Sequence, residues 1–416
     1  MRRRKILIVM LGLVLLSQLP FAYRRYRLAR LQKAIQQLES QRAAPQSESD
    51  FIDYQGVIHV HSSLGGHSTG TFAELIAAVK ANQLDFLIMT EHPQAEFDTS
   101  AMTLSGVHAG VLFLNGNEVA TASGDRLLLI PGSADAASMS TQTTQEVIAK
   151  QKSAGGLAFA AYPSESQNWQ SSSVDGVEVY NLFTNARQYN AAVIFFDGLW
   201  SYRGYADLMF ANFFARPAAN LNRWDQAMLG GTRKLVAIAG NDAHSNIGLS
   251  INDASGKQWL GVKLDPYERS FRVVRTHVLI RKEKELNRES LLEAISKGHC
   301  YISFDLFGDA KGFTFAPVGA GANVMGDEIL SIRGSQLRSA APLFCRFVLF
   351  KDGLVAGEKS GTAVEFVIDG PGIYRVETYL DSLPAPVTGQ PWIISNPIYV
   401  KPVMPPKPPS QAQKLQ

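Results

Sequence analysis

Seven short apolar runs recur between residues 56 and 240: GVIHV (56–60), LDFLIM (84–89), GVLFL (110–114), LLLI (127–130), LAFAA (157–161), GVEVY (176–180) and LVAIAG (235–240). Runs of this kind read as strands buried on both faces. Between them lie segments with helical spacing, such as Phe72, Leu75, Ile76 and Val79. Strands alternating with helices predict a parallel α/β body, a seven-stranded (β/α) barrel, with a doubly wound open sheet as the alternative. No glycine-rich phosphate loop opens the first helix, which disfavours a nucleotide-binding version.

The ends of these runs carry the chemistry. His59 and His61 close the first run with one Val between them, and His67 follows behind Gly65-Gly66. A spacing of two puts both imidazoles on one face of an extended chain. His92 ends the second run in LIMTEHP, Glu118 follows the third in NGNEVA, and Asp242 and His244 end the seventh in AIAGNDAHS. In α/β barrels the C-terminal ends of the strands converge on one mouth. Five of the eight histidines thus stand at or beside the ends of three runs, joined by a Glu and an Asp. Imidazole and carboxylate are ligands for zinc, manganese or iron, so this set reads as a metal site. His108, His277 and His299 have no such partners in the sequence and read as packed or hydrogen-bonded residues. Cys300 beside His299 is too small a set to read as a zinc site.

At these residues the chain resembles the PHP (polymerase and histidinol phosphatase) superfamily of metal-dependent hydrolases. The resemblance rests on HVH at 59–61, His67, TEH at 90–92, GNE at 116–118 and NDAH at 241–244, and covers roughly residues 55–300. GHCYISFDLFGDAKGF (298–313) and PWIISNPIYV (391–400) are similar to segments of its carbaryl-hydrolase-like branch. The resemblance implies a distorted seven-stranded (β/α) barrel. It also implies one metal position at His59, His61, Glu118 and Asp242 and another at His67, His92 and His244, with Glu118 able to bridge toward a third.

The chain departs from the family at two places. Tyr162-Pro163 stands where the family often has His-Pro, and Asp125-Arg126 stands where a further histidine is expected. Arg has no lone pair to offer a cation, so the third position is degraded and two divalent ions are expected. The implied activity is hydrolysis of a small phosphoester or related ester by metal-bound water whose pKa is lowered toward neutrality. Arg126 and Tyr162 are candidate substrate-binding groups, Arg126 as a clamp on an anionic oxygen. A surface ion pair of Arg126 with Asp125 or another carboxylate is the plainer reading. The alternative function is a non-catalytic, membrane-anchored binding protein that retains an incomplete metal site.

Nine of the 40 Lys and Arg residues lie within residues 1–33, which leaves 31 basic against 37 acidic side chains in the rest. A mildly acidic body does not suit a nucleic-acid binder, whose affinity depends on neutralising phosphates. The run Ile6–Leu16, extended by Leu19–Tyr23, is just long enough to cross a hydrocarbon core. Residues 1–23 therefore read as an uncleaved anchor, with a cleaved signal peptide as the rival. Four basic residues in the first five favour a cytoplasmic N-terminus and a periplasmic or extracellular body. Residues 24–50 read as a juxtamembrane helical stalk (Leu28, Leu31, Ile35, Leu38) and a linker, and 51–304 as the barrel. The aromatic segment 195–214 interrupts the strand spacing and is expected to be mostly core. Residues 305–400 alternate in β fashion around KDG and DGPG turns, predicting a small β-sandwich that resembles an immunoglobulin-like module. Residues 401–416, rich in Pro, Lys and Gln, read as a disordered tail.

Overall fold

The computed structural model describes residues 2–43, 49–166, 168–187, 190–229, 233–252, 258–319 and 322–403. Most of the predicted tail lies outside these residues. Each of the seven apolar runs forms all or most of a strand or lies in one. These strands are β1 (Phe51–Val60), β2 (Phe86–Met89), β3 (Val111–Leu114), β5 (Arg126–Ile130), β6 (Leu157–Ala161), β7 (Gly176–Asn181) and β8 (Val236–Ala243), while β4 (Asn117–Ala120) continues β3 after a break at Asn115-Gly116.

β1 lies parallel to β2 on one side and to β8 on the other, and β2 is parallel to β3. A single bridge from Glu91 to Asn117 carries the pairing on to β4. From β4 it passes through β5, β6 and β7 to β8, and so returns to β1. The expectation of an all-parallel arrangement needs correction at β5, which is antiparallel to both β4 and β6. The reason is length: only residues 121–125 separate β4 from β5, enough for a hairpin but far short of a parallel crossover.

Helices form where the sequence caps them. Helix α2 (Phe72–Ala81) opens on Thr71, whose side chain accepts from the Glu74 amide while Glu74 reaches back to the Thr71 amide. α3 (Thr144–Ser153) repeats the device with Thr143 and Glu146. Both turn buried aliphatic residues (Leu75 and Val79; Val147 and Ile148) toward the strands.

The first half of β1 also pairs antiparallel with β9 (Arg275–Arg281), and from there the ladder passes to β10 (Cys300–Ser303) and then β14 (Pro391–Ser395). β14 pairs with β13 (Gly372–Tyr379), which pairs with β11 (Gln336–Lys351), and β11 forms a long hairpin with β12 (Leu354–Val367). Asp352 and Gly353, both with positive φ, make that turn, as KDG predicts. One mixed sheet therefore runs across the 304/305 boundary. The C-terminal strands share hydrogen bonds with the body rather than standing as a separate sandwich.

The N-terminal segment is a single helix, α1 (Arg2–Glu39). Its second half is docked rather than free. Leu28, Leu31 and Leu38 are buried in the main core, and the Glu39 carboxylate accepts from the Asp309 amide. The expected stalk is thus an integral part of the body. The aromatic segment is mostly core, as expected: Phe213 and Phe214 are buried and Tyr202, Tyr205 and Phe210 pack against the core, while Phe195 and Trp200 are exposed.

Candidate metal centre

His59 and His61 leave the end of β1 where the chain bulges, and His59 sits at φ 66°. Tyr162 (φ 47°) and Asp242 (φ 51°) share this left-handed conformation, which is unfavourable for residues with a β-carbon. Three strained backbone positions around one cleft mark it as a place where surrounding structure over-determines geometry. The cleft encloses about 300 Å³ and is lined by His67, His92, Glu118, Arg126, Tyr162, Glu165, Phe183, Asp242, His244 and Asn246.

At its floor four ligand-type atoms meet. His59 Nε2 lies 3.3 Å from Glu118 Oε2 and 3.4 Å from Asp242 Oδ1, and His61 Nε2 lies 3.4 and 3.3 Å from the same two oxygens. Ligand atoms this close to one another can share one small divalent ion, which keeps about 2.0–2.2 Å from nitrogen and oxygen. All four residues are buried. Neither ring nitrogen of His61 has a hydrogen-bond partner, and neither does Asp242 Oδ1. Buried polar atoms without partners are costly, so two of them, His61 Nε2 and Asp242 Oδ1, meeting His59 Nε2 and Glu118 Oε2 at one point fit a cation there.

A second group comprises His61, His92 and His244. The His61 ring stacks at 4.4 Å on both His92 and His244. His67, assigned to this position by the resemblance, stands exposed on the rim with its ring 5.0 Å from that of His92. Its backbone carbonyl accepts from the Asn246 side chain.

Protonation follows the charges. Burial disfavours a charged His59, but Glu178 and Asp242 outweigh it and raise His59 well above the usual imidazole range. Burial acts to raise Glu118 and Asp242, yet the histidines prevail. His59 is the main influence in lowering Glu118 to about 2, and His59 and His61 lower Asp242. Burial, reinforced by His61, brings His92 down to about 3 and lowers His244. The site therefore holds ionised carboxylates beside neutral His92 and His244, the forms in which these groups ligate metal.

Several contributors escaped the sequence reading. Glu178 is wholly buried, and its Oε1 lies 2.5 Å from His59 Nδ1. Asn181 donates to both Glu178 and Asp242. Glu91 accepts from the Ser62 amide and hydroxyl and from Thr103, which fixes the loop after β1. A single acid inside an apolar strand, as in GVEVY, is the signal that marks Glu178. Nothing comparable marks Asn181.

Arg126 is half-exposed and donates from Nη1 to Glu118 Oε1 at 3.2 Å. Asp125 is not its partner, because it turns away to Thr144 and Ser166. The Tyr162 hydroxyl donates to Asp242 Oδ2 at 2.6 Å. The remaining histidines lie elsewhere but are not without partners. His277 is held between Asp53 and Asp305, and His299 pairs with Asp327. Cys300 and Cys345 are buried and unpaired.

No protein-family model matches the chain, and no curated protein does. Among solved structures, one match is a two-domain protein from Bacteroides vulgatus containing a predicted PHP-like metal-dependent phosphoesterase. It is 15% identical, with 85% of this chain and 98% of that one covered and a TM-score of 0.38. Another is PsfC from Pseudomonas syringae, 12% identical over 61% of this chain and 92% of that one, also with a TM-score of 0.38. Likenesses at this level carry no argument about what the chain does.

Proposed function

We propose that this protein is a membrane-anchored, metal-dependent hydrolase of small phosphoesters or related esters, built on a PHP-like body. The observation that supports it most is the meeting of His59, His61, Glu118 and Asp242 at 3.3–3.4 Å with unpartnered buried atoms turned toward one another. A divalent ion held there supplies a Lewis acid that polarises a substrate oxygen and acidifies water.

The chain's own residues do the rest. Glu178 keeps one His59 proton on Nδ1, so that Nε2, once a cation displaces the proton that the surrounding carboxylates hold there, would present its lone pair to the floor of the cleft. Burial, together with the nearby carboxylates, raises the Tyr162 phenol, which therefore stays protonated and orients Asp242 through Oδ2. Arg126, beside Glu118 and open to the cleft, offers guanidinium hydrogens to an anionic oxygen of the substrate. We place a second ion at His92 and His244, completed by His67 from the rim, because His61 Nε2 already faces Glu118 and Asp242. The anchor puts residues 51–400 outside the cytoplasm.

One observation favours the alternative, a non-catalytic binding protein. Arg126 and Tyr162 engage the second oxygens of Glu118 and Asp242, which a further ion would otherwise use. The deciding experiment assays purified full-length protein with manganese or zinc against a panel of phosphate esters and carboxylic esters. Turnover that disappears in His59→Ala supports the hydrolase. Metal binding without turnover across the panel favours the binding protein.

A further inference from the structure

The environment of α1 changes along its length. None of its most apolar stretch is buried against the rest of the chain, whereas Leu28 and Leu31 are wholly buried in the core. The changeover falls near Tyr23–Arg27, where Tyr23 and Tyr26 are exposed. Aromatic and basic residues of this kind collect where a helix leaves hydrocarbon for water.

A second helix is fixed at this level. It is α5 (Ala191–Tyr205), preceded by the short α4 (Leu182–Arg187), which carries Phe183 of the cleft. Phe196 packs on Phe21 with ring centroids 5.1 Å apart. Both oxygens of the buried Asp197 accept from Arg24 at 2.8 Å, and the Trp200 indole donates to Gln18 at 3.0 Å. Arg25 lies over the Tyr205 ring and donates to the Trp200 carbonyl. Gln18 precedes the changeover, so the Trp200 side chain reaches the apolar part of α1. The outward face of α5 nevertheless carries Phe195, Leu199 (66% exposed) and Trp200, with Arg203 one turn further on. An apolar stripe with a long cation at its edge is how a helix lies in a membrane surface.

We propose that α5 is seated in the interfacial zone of the lipid bilayer that α1 enters, with Phe195, Leu199 and Trp200 against the acyl chains. The occupant is the bilayer because the apolar face of α5 is continuous with that of α1 and is fixed to it by the partly buried Arg24–Asp197 ion pair. The body is then held to the membrane at two helices, in one orientation, rather than swinging on a tether. This inference rests on reading α1 as an anchor.

The test uses full-length protein in phosphatidylcholine–phosphatidylglycerol vesicles, labelled with a nitroxide at Leu11→Cys, Leu199→Cys or Gln41→Cys. Cys300 and Cys345 are buried and stay in place. Collisions with oxygen and with a water-soluble nickel chelate are measured for each label. The ratio of oxygen to nickel collisions at position 199 should exceed that at position 41 by about threefold or more, and position 11 should behave likewise. A lipid-like ratio at 11 with a water-like ratio at 199 overturns the inference and leaves the anchor standing. A water-like ratio at both overturns the anchor reading and the inference with it. A label at 199 shielded from both reagents would place protein on this face and would also overturn the inference.

Discussion

The Glu178 carboxylate lies 2.5 Å from His59 Nδ1, on the side of the imidazole opposite to Glu118 and Asp242. A carboxylate behind a ligating histidine fixes its tautomer and raises its basicity, and losing such a partner typically lowers metal affinity 10–100-fold. Glu178→Gln keeps the shape but not the charge. It should weaken binding by about tenfold or more, while Glu178→Asp, whose shorter side chain draws the carboxylate back from Nδ1, should weaken it less. Titration calorimetry with zinc checks this; affinity unchanged in both variants would leave Glu178 as packing only.

Gly240 belongs to the same arrangement. A β-carbon there would stand 1.6 Å from Glu178 Oε1 and 3.1 Å from His59 Nδ1. Gly240→Ala should therefore displace Glu178 and reproduce the binding defect of Glu178→Gln with little further loss when the two are combined. Additive losses in the double variant would mean that the glycine serves some other purpose.

The two ligand groups should separate in a metal count. His59→Ala removes a member of the floor group only, and His244→Ala a member of the second group only. Each should lower bound metal by about one ion per chain, measured by elemental analysis of protein dialysed against zinc. His67→Ala should follow His244→Ala if the rim histidine completes the second position.

Much of this was legible because strand ends are marked twice, by apolar runs and by the ligands that follow them. His59 could be paired with His61, and Asp242 with His244, from spacing alone, since one face of a strand repeats every second residue, and the convergence of strand ends joined the two pairs. The direction of β5 was not legible, because an apolar run such as LLLI looks the same in a parallel or an antiparallel neighbour. Glu178 was overlooked because an acid within an apolar strand has meaning only when its partner across the barrel is known. The docking of α1 was hidden for a related reason. Leu28, Leu31 and Leu38 make the same stripe on a free stalk as on a packed helix.

Arg126 and Tyr162 allow a test of whether they exclude a further ion from the cleft. Arg126→Ala removes a cation that faces Glu118 and the cleft, so metal content should be unchanged while KM for an anionic ester rises about tenfold, the loss of one charge-assisted contact. Tyr162→His alone should add no ion, because Arg126 keeps a positive charge beside the incoming cation. Tyr162→His combined with Arg126→Ala should raise the stoichiometry. A third ion in Tyr162→His alone would show that the guanidinium does not exclude it.

Away from the cleft, His277 gives the protein a pH dependence with a definite sign. Its imidazole is fully buried, with Nδ1 2.8 Å from Asp53 and Nε2 3.4 Å from Asp305, and it stacks on Tyr301. Arg275 also pairs with Asp305, and the Tyr301 hydroxyl donates to Asp53. Burial alone would lower His277, but the two carboxylates prevail and raise it to about 10 from its ordinary 6.5. The folded protein therefore binds a proton more tightly here than the unfolded chain. The stabilisation is fully present below pH 6.5 and is lost as pH rises toward 10, with a slope of up to about 1.4 kcal/mol per pH unit. Asp53 and Asp305 are lowered by the same pairing despite their burial, so their contribution is lost instead on acidification, below the ordinary carboxylate range. His277→Gln should destabilise the protein by roughly 3–5 kcal/mol at neutral pH, because it leaves buried carboxylates uncompensated. It should also flatten the decline between pH 6.5 and 10. Thermal midpoints of full-length protein in detergent across that range measure both effects, and a variant that loses stability but keeps the wild-type slope would assign the titration to another group.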